Sequence, residues 1–235
     1  SWRGESGGIK SARMGHDVVM TPGNYMYFDF YQADPKTQPY AIGGYTPIKK
    51  VYSYNPIPVD SLTAEESKHI MGVQANTWTE YIPNEQHLEY MMFPRALALA
   101  EIAWSPQEKR EWNDFKPRMN AHISKLQQMG INTFTLSDEL EVTMKVDTVS
   151  KQIEVYLDAE KYPAEIRYTT DGTVPTASST VYDGMIQVKD SAYIKAAIFS
   201  NGQLQGTPTE KKVDYHRAIN KPIHYNSKLY PGYMA

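Results

Sequence analysis

Near Ile131 the hydrophobic period of the chain changes, and no other feature narrows its possible folds as far. Beyond that point Lys151-Gln-Ile-Glu-Val-Tyr-Leu157, Glu165-Ile-Arg-Tyr-Thr-Thr170 and Tyr193-Ile-Lys-Ala-Ala-Ile-Phe199 alternate apolar and polar residues. Period two puts the apolar set on one face of a strand. Asp171-Gly172 and Asn201-Gly202 read as hairpin turns between such strands. Residues 131–215 are therefore expected to form a small β-sandwich. Residues 216–235 read as Asn-, Pro- and Tyr-containing linker.

Before the change the pattern is mixed. Asp17-Val-Val-Met-Thr-Pro22 is a short apolar run closed by proline, which predicts a strand buried on both faces, as in a parallel sheet. A Tyr- and Pro-rich stretch follows to about Pro58. Asp60-Ser-Leu-Thr-Ala-Glu-Glu66 carries the capping and acidic signals of a short helix through Met71. Gly72–Glu80 reads as a second strand. Residues 84–104 read as a long helix with Pro94 kinking it or marking a boundary. Ser105-Pro106 then restarts a helix with Trp112, Phe115, Met119, Ile123 and Leu126 on one face and Gly130 as its C-cap. The order strand, helix, strand, helix, helix is that of an α/β domain over residues 1–130. It fits a small α/β fold or the tail of an eight-stranded barrel.

At 235 residues two domains are expected. A net charge of -3 offers no basic stripe for nucleic acid. No run of about 20 apolar residues is present to span a bilayer. The absence of cysteine excludes disulfides and thiolate metal sites. The opening Ser1-Trp2-Arg3-Gly4, without Met, reads as a fragment.

Within Gly72-Val-Gln-Ala-Asn-Thr-Trp-Thr-Glu80, an indole and a carboxylate stand two residues apart, so a strand would put Trp78 and Glu80 on one face. That pair suits a sugar ring, whose C–H face lies on an indole while its hydroxyls donate to a carboxylate. From spacing alone, a core Trp and a surface Glu are the more frequent outcome. Trp104 and Trp112 lie on helical faces and read as core. His16 reads as a structural histidine, and Lys109-Arg110-Glu111 as a solvated helix face.

Five segments in order, Ser1–Gly4, Gly15–Pro22, Tyr27-Phe28-Asp29, Gly72–Glu80 and Phe93-Pro94-Arg95 to Trp104, resemble the C-terminal part of the family 20 glycoside hydrolases, the β-N-acetylhexosaminidases. The resemblance covers about residues 1–130. It implies the C-terminal part of a TIM (β/α)8 barrel, followed by the immunoglobulin- or fibronectin-like sandwich of bacterial members. It also implies substrate-assisted, retaining hydrolysis of terminal N-acetylglucosamine or N-acetylgalactosamine, without cofactor or metal, in an exported bacterial protein. Trp2, Tyr27 and Trp78 would wall the acetamido pocket, and the Tyr27 hydroxyl would bond the attacking carbonyl oxygen. Asp29 and Glu80 would accept from sugar hydroxyls. The family's adjacent Asp-Glu acid pair has no candidate here, because Asp138-Glu139 stands at the domain junction. The isolated chain is thus expected to be inactive and to depend on the remainder of the same polypeptide. A pocket tryptophan usual between the Tyr-x-Asp loop and the last strand has no counterpart in residues 30–77, leaving Tyr45, Tyr52 or Tyr54 as substitutes. The competing reading is a non-catalytic sugar-binding or structural piece.

Overall fold

The computed structural model describes residues 2–147, 149–150 and 152–214. The chain divides into two compact units, one running to Ser137 and including Glu160–Pro163, the other made of Asp138–Ala159 and the chain from Ala164 onward. The expected linker at 216–235 lies outside the described residues.

The first unit begins with α1 (Ser6–Arg13), then β1 (Val18–Met20), α2 (Gly23–Met26), α3 (Ile48–Ser53), α4 (Ala64–Ser67) and β2 (Ile70–Val73). Helices α5 (Glu85–Met92), α6 (Arg95–Trp104) and α7 (Trp112–Gln128) complete it. β1 and β2 pair in parallel, with Val18 opposite Ile70 and Met20 opposite Val73. Met20, Met26, Phe28, Val51, Ala98, Phe115 and Met119 meet in the core beneath them. The helix expected over 84–104 is two helices, because Pro94 has no N–H to give and α6 starts after it. α7 ends as anticipated at Gly130, whose φ of +83° suits glycine; the N–H of Ile131 then returns to the Leu126 carbonyl.

Several expectations are corrected. β1 is buried on one face only: Val19 is exposed and lines an open cavity with Trp2 and the start of α1. The short helix α4 starts after Thr63, not Asp60, because Thr63 and Glu66 form a reciprocal capping box. Met71 belongs to β2 instead. The strand expected over 72–80 ends at Val73, and only a single bridge from Asn76 to Tyr27 continues its pairing. Trp104 is not core but 89% exposed, at the last residue of α6. Arg110 is not on a solvated face, since its guanidinium donates to the Tyr54 carbonyl at 2.9 Å. The histidine that meets a carboxylate is His69, 3.2 Å from Asp17, while His16 is exposed.

The second unit contains β3 (Glu141–Asp147), β4 (Gln152–Asp158), β5 (Glu165–Thr169), β6 (Thr180–Val181), β7 (Ile186–Val188), β8 (Ala192–Ser200) and β9 (Gln203–Val213). They form a three-stranded sheet β3-β4-β7 and a four-stranded sheet β6-β5-β8-β9. Inward residues of the two sheets share one core, including Ile153, Val155, Leu157, Ile166, Ile186, Ile194 and Val213. Asn201 and Gly202, with φ of 50° and 74°, form the expected tight hairpin between β8 and β9. Asp171-Gly172 does not join two strands directly. Asp171 bridges to Tyr193, and the chain travels on to Thr180 before pairing again.

Candidate active site

The carboxyl ends of adjacent parallel strands are where α/β folds build sites, because loops there diverge and leave a crevice. Here the chain leaving β1 passes through Thr21 and Pro22 into α2 and the turn Tyr27–Phe30, and the chain leaving β2 runs alongside it. Main-chain bonds hold the two segments together: Gln74 N–H to Met20, Asn76 N–H to Met26 and Phe28 N–H to Asn76, at 2.7–2.9 Å. The Asn76 side chain donates to Thr21 Oγ1 at 2.6 Å, tying the same two segments once more. Trp2 joins from the amino-terminal side, where its carbonyl accepts from Gly23 N–H at 2.9 Å.

These loops enclose an open cavity of about 700 Å³ lined by Trp2, Thr21, Tyr27, Asp29, Phe30, Ile42, Asn76, Trp78 and Glu80. All five residues singled out in the sequence, Trp2, Tyr27, Asp29, Trp78 and Glu80, therefore share one cavity. Trp78 and Glu80 meet there for a different reason from the one expected. They lie in a loop and turn after β2, so strand alternation does not orient them. Tyr52 and Tyr54 do not substitute for the missing tryptophan, because both are buried in the core, Tyr52 stacked on Phe115 and Tyr54 on Tyr25. Tyr45 is exposed and does not line the cavity; Phe30 and Ile42 supply apolar wall instead.

The cavity combines apolar and acidic surface. Trp2 and Trp78 are each about half exposed, so their rings are open to a ligand. Arg3 lies over the Trp2 ring, 4.5 Å from its centroid. Asp29 is nearly buried, and its Oδ1 has no hydrogen-bond partner among the described residues. Burial raises the pKa of Asp29; backbone N–H groups of Asp29 and Trp78 and the positive charge of Arg95 pull it back down, while Glu80 adds to the rise. A second carboxylate on one side of an aromatic cleft suits a neutral, hydroxyl-rich ligand that donates hydrogen bonds.

A model of the glycosyl hydrolase family 20 catalytic domain matches residues 1–107. A model of the chitobiase/beta-hexosaminidase C-terminal domain matches residues 144–210. Residues 1–107 belong to the catalytic domain of glycosyl hydrolase family 20. It is 37% identical over 204 residues to a beta-hexosaminidase of Porphyromonas gingivalis, covering 86% of this chain and 26% of that protein. A beta-hexosaminidase of Akkermansia muciniphila is 34% identical over 116 residues, 48% of this chain and 22% of its own length. The structure of an exo beta-N-acetylglucosaminidase from Vibrio harveyi in complex with N-acetylglucosamine aligns with a TM-score of 0.52 at 32% identity, over 57% of this chain and 21% of that one. The chain thus spans about a quarter or less of the length of these relatives. The first unit is a portion of a family 20 (β/α)8 barrel, and the second is the β-sandwich that follows it.

The residue that sequence reasoning passed over is Arg95. It stood only as a member of the Phe93–Trp104 segment, yet it is fully buried and its charge acts on Asp29 of the cavity. The available signal was a lone cation within the apolar run Met91–Ala100.

Proposed function

We propose that the whole protein is a β-N-acetylhexosaminidase that removes terminal N-acetylglucosamine or N-acetylgalactosamine from glycans with retention of configuration. The observation that carries this reading is the gathering of two open indoles, a tyrosine and two carboxylates in one cavity at the ends of β1 and β2. In this reading Trp2, Tyr27 and Trp78 enclose the 2-acetamido group, and the Tyr27 hydroxyl donates a hydrogen bond to the acetamido carbonyl oxygen while keeping its proton. So held, that oxygen is in place to attack the anomeric carbon and displace the leaving alkoxide. The resulting oxazolinium-type ring is opened by water from the face the leaving group vacated, and two inversions give retention. Asp29 and Glu80 accept from ring hydroxyls and hold the sugar across both steps.

The proton chemistry is assigned outside this chain. Its sole adjacent Asp-Glu, Asp138-Glu139, stands at the start of the second unit, where Asp138 packs against Gly206. General acid help contributes roughly 10²–10⁴ in rate, so the chain alone should turn over near background. The test is hydrolysis of an aryl 2-acetamido-2-deoxy-β-glucoside by the whole protein, with the first-formed product read by proton NMR. A β-anomer and inhibition by a thiazoline analogue support the reading. An α-anomer, or equal turnover of the glycoside lacking the acetamido group, refutes it.

A further inference from the structure

An arginine sealed inside a protein is costly unless each of its five N–H donors meets an acceptor, and replacing such a group with apolar residues is often neutral or stabilising. Arg95 is 0% exposed. Its donors are all satisfied: Nε reaches the Met91 carbonyl at 3.1 Å, Nη1 those of Phe30 and Thr46 at 2.9 and 3.1 Å, and Nη2 those of Phe28 and Met91, both at 2.5 Å. Every acceptor is main chain. The guanidinium also lies under the Phe28 ring, 4.9 Å from its centroid.

The choice of acceptors matters more than their number. Phe28 and Phe30 are the neighbours of Asp29, and Phe28 follows Tyr27. Holding the Phe28 carbonyl fixes the peptide plane that leads into Asp29, and holding the Phe30 carbonyl fixes the plane just beyond the next residue, so the turn that carries Asp29 is clamped before and after it. Thr46 and Met91 anchor the other end of the fork to α3's approach and to the last turn of α5, so the turn is referred to the core and cannot follow the ligand. A neutral core residue could fill this volume but could not grip four carbonyls at once.

We propose, building on the hexosamine reading of the cavity, that Arg95 is the positioning residue of that pocket: it touches no substrate and acts through the Phe28–Phe30 turn to hold Tyr27 and Asp29 in place. Its charge also stands behind Asp29, lowering the carboxylate's pKa against the opposing effects of burial and Glu80. The other polar groups lining the small chamber beside Asp29 are Tyr40, Glu80, Tyr81 and His87. Burial draws the pKa of Arg95 down to about 9, which leaves it cationic at neutral pH.

Two experiments test this independently. In the whole protein, kcat and KM on the aryl glycoside are measured for Arg95→Lys, Asp29→Asn and the double variant, each checked for folding by circular dichroism. Lysine keeps the charge but loses the planar fork. It should lower kcat/KM by about 10- to 100-fold alone, yet by less than about threefold in the Asp29→Asn background, because both changes break one unit. Equal losses in both backgrounds, or wild-type kinetics for Arg95→Lys, would overturn the proposal. An inactive wild-type protein would sink the hexosaminidase reading alone, and the second experiment then decides. In this chain with Arg95 unchanged, the Arg95 Nε–H signal is followed by NMR through a pH titration. It should inflect at the midpoint of the Asp29 carboxyl carbon and lose that inflection in Asp29→Asn. A pH-independent Nε–H signal, or one whose inflection survives Asp29→Asn, contradicts the coupling, and this measurement needs no arginine variant to fold.

Discussion

Truncating Trp78 to alanine should separate binding from folding. The residue keeps 54% of its surface open and is not among those packed against the core. For a ring of roughly 250 Å², that leaves about 135 Å² uncovered, of which a sugar lying on one face hides about half. At ~25 cal/mol per Å² the lost contact is worth about 1.5–2 kcal/mol, or a ten- to thirtyfold fall in kcat/KM. The folding cost should be about 1 kcal/mol, well below the ~3–5 kcal/mol of a tryptophan truncated in a core. Trp112→Ala is the internal control. Its ring packs on Tyr52 and Phe115, at 5.5 and 5.9 Å between centroids, so its removal should lower the melting temperature and spare kinetics. The assay is thermal unfolding of each variant beside steady-state kinetics of the whole protein on an aryl N-acetylglucosaminide. If Trp78→Ala lowers the melting temperature as much as Trp112→Ala while kcat/KM stays unchanged, the indole is structural and the reasoning fails.

Asp29→Asn should cost one to two orders of magnitude in kcat/KM, as about 1.5–3 kcal/mol for a charged acceptor implies. Because the folded carboxyl has its pKa raised above 3.8, the folded state holds the proton more tightly than the unfolded chain. Asp29 therefore favours folding as pH falls and penalises it once ionised, so Asn should match or exceed wild-type stability at pH 7 and lose that advantage near pH 3.8; melting curves across this range check the sign. Gly44→Ala should destabilise by about 2–4 kcal/mol in a denaturant titration, since φ is +67° and the new Cβ would stand 2.3 Å from the Phe30 ring, which itself lines the cavity. Trp104→Ser should change stability by no more than about 0.5 kcal/mol, because the ring is 89% exposed; a larger loss on urea unfolding would contradict that placement.

The parts of the fold that were legible in the sequence were those governed locally. Pro94 had to interrupt a helix whatever surrounded it, and Asn201-Gly202 had to turn because both residues tolerate positive φ. The alternation of Ile153, Val155 and Leu157 named their buried face directly. What failed depended on partners distant in sequence. Trp104 has the spacing of a core residue, but spacing cannot say whether another element covers that face. Tyr52 and Tyr54 resemble pocket aromatics in a Tyr-rich stretch, yet α3 carries Tyr52 into the core with Ile48 and Val51, a helix hidden by the surrounding Pro and Gly. Trp78 and Glu80 were identified as partners through an incorrect strand argument. They meet because a loop, bound to Tyr27 through Asn76, delivers them to the same cavity. For Arg95, the lone cation in an apolar run signalled burial but not its role, because its acceptors are backbone carbonyls up to 67 positions away, which no side-chain pattern encodes.

Trp2, Tyr27, Asp29, Trp78 and Glu80 are proposed to form one N-acetylhexosamine pocket. The four tryptophans of the chain provide their own controls, two in the cavity, one packed against the core and one exposed. The most direct measurement is an indole ¹⁵N NMR titration of this chain with N-acetylglucosamine, the four signals assigned by single Trp→Phe changes. Saturable shifts of Trp2 and Trp78, with Trp104 and Trp112 unmoved and with N-acetylglucosamine preferred over glucose, are the predicted result. Indoles that stay unmoved to saturating sugar, or an equal response from Trp104, would contradict it.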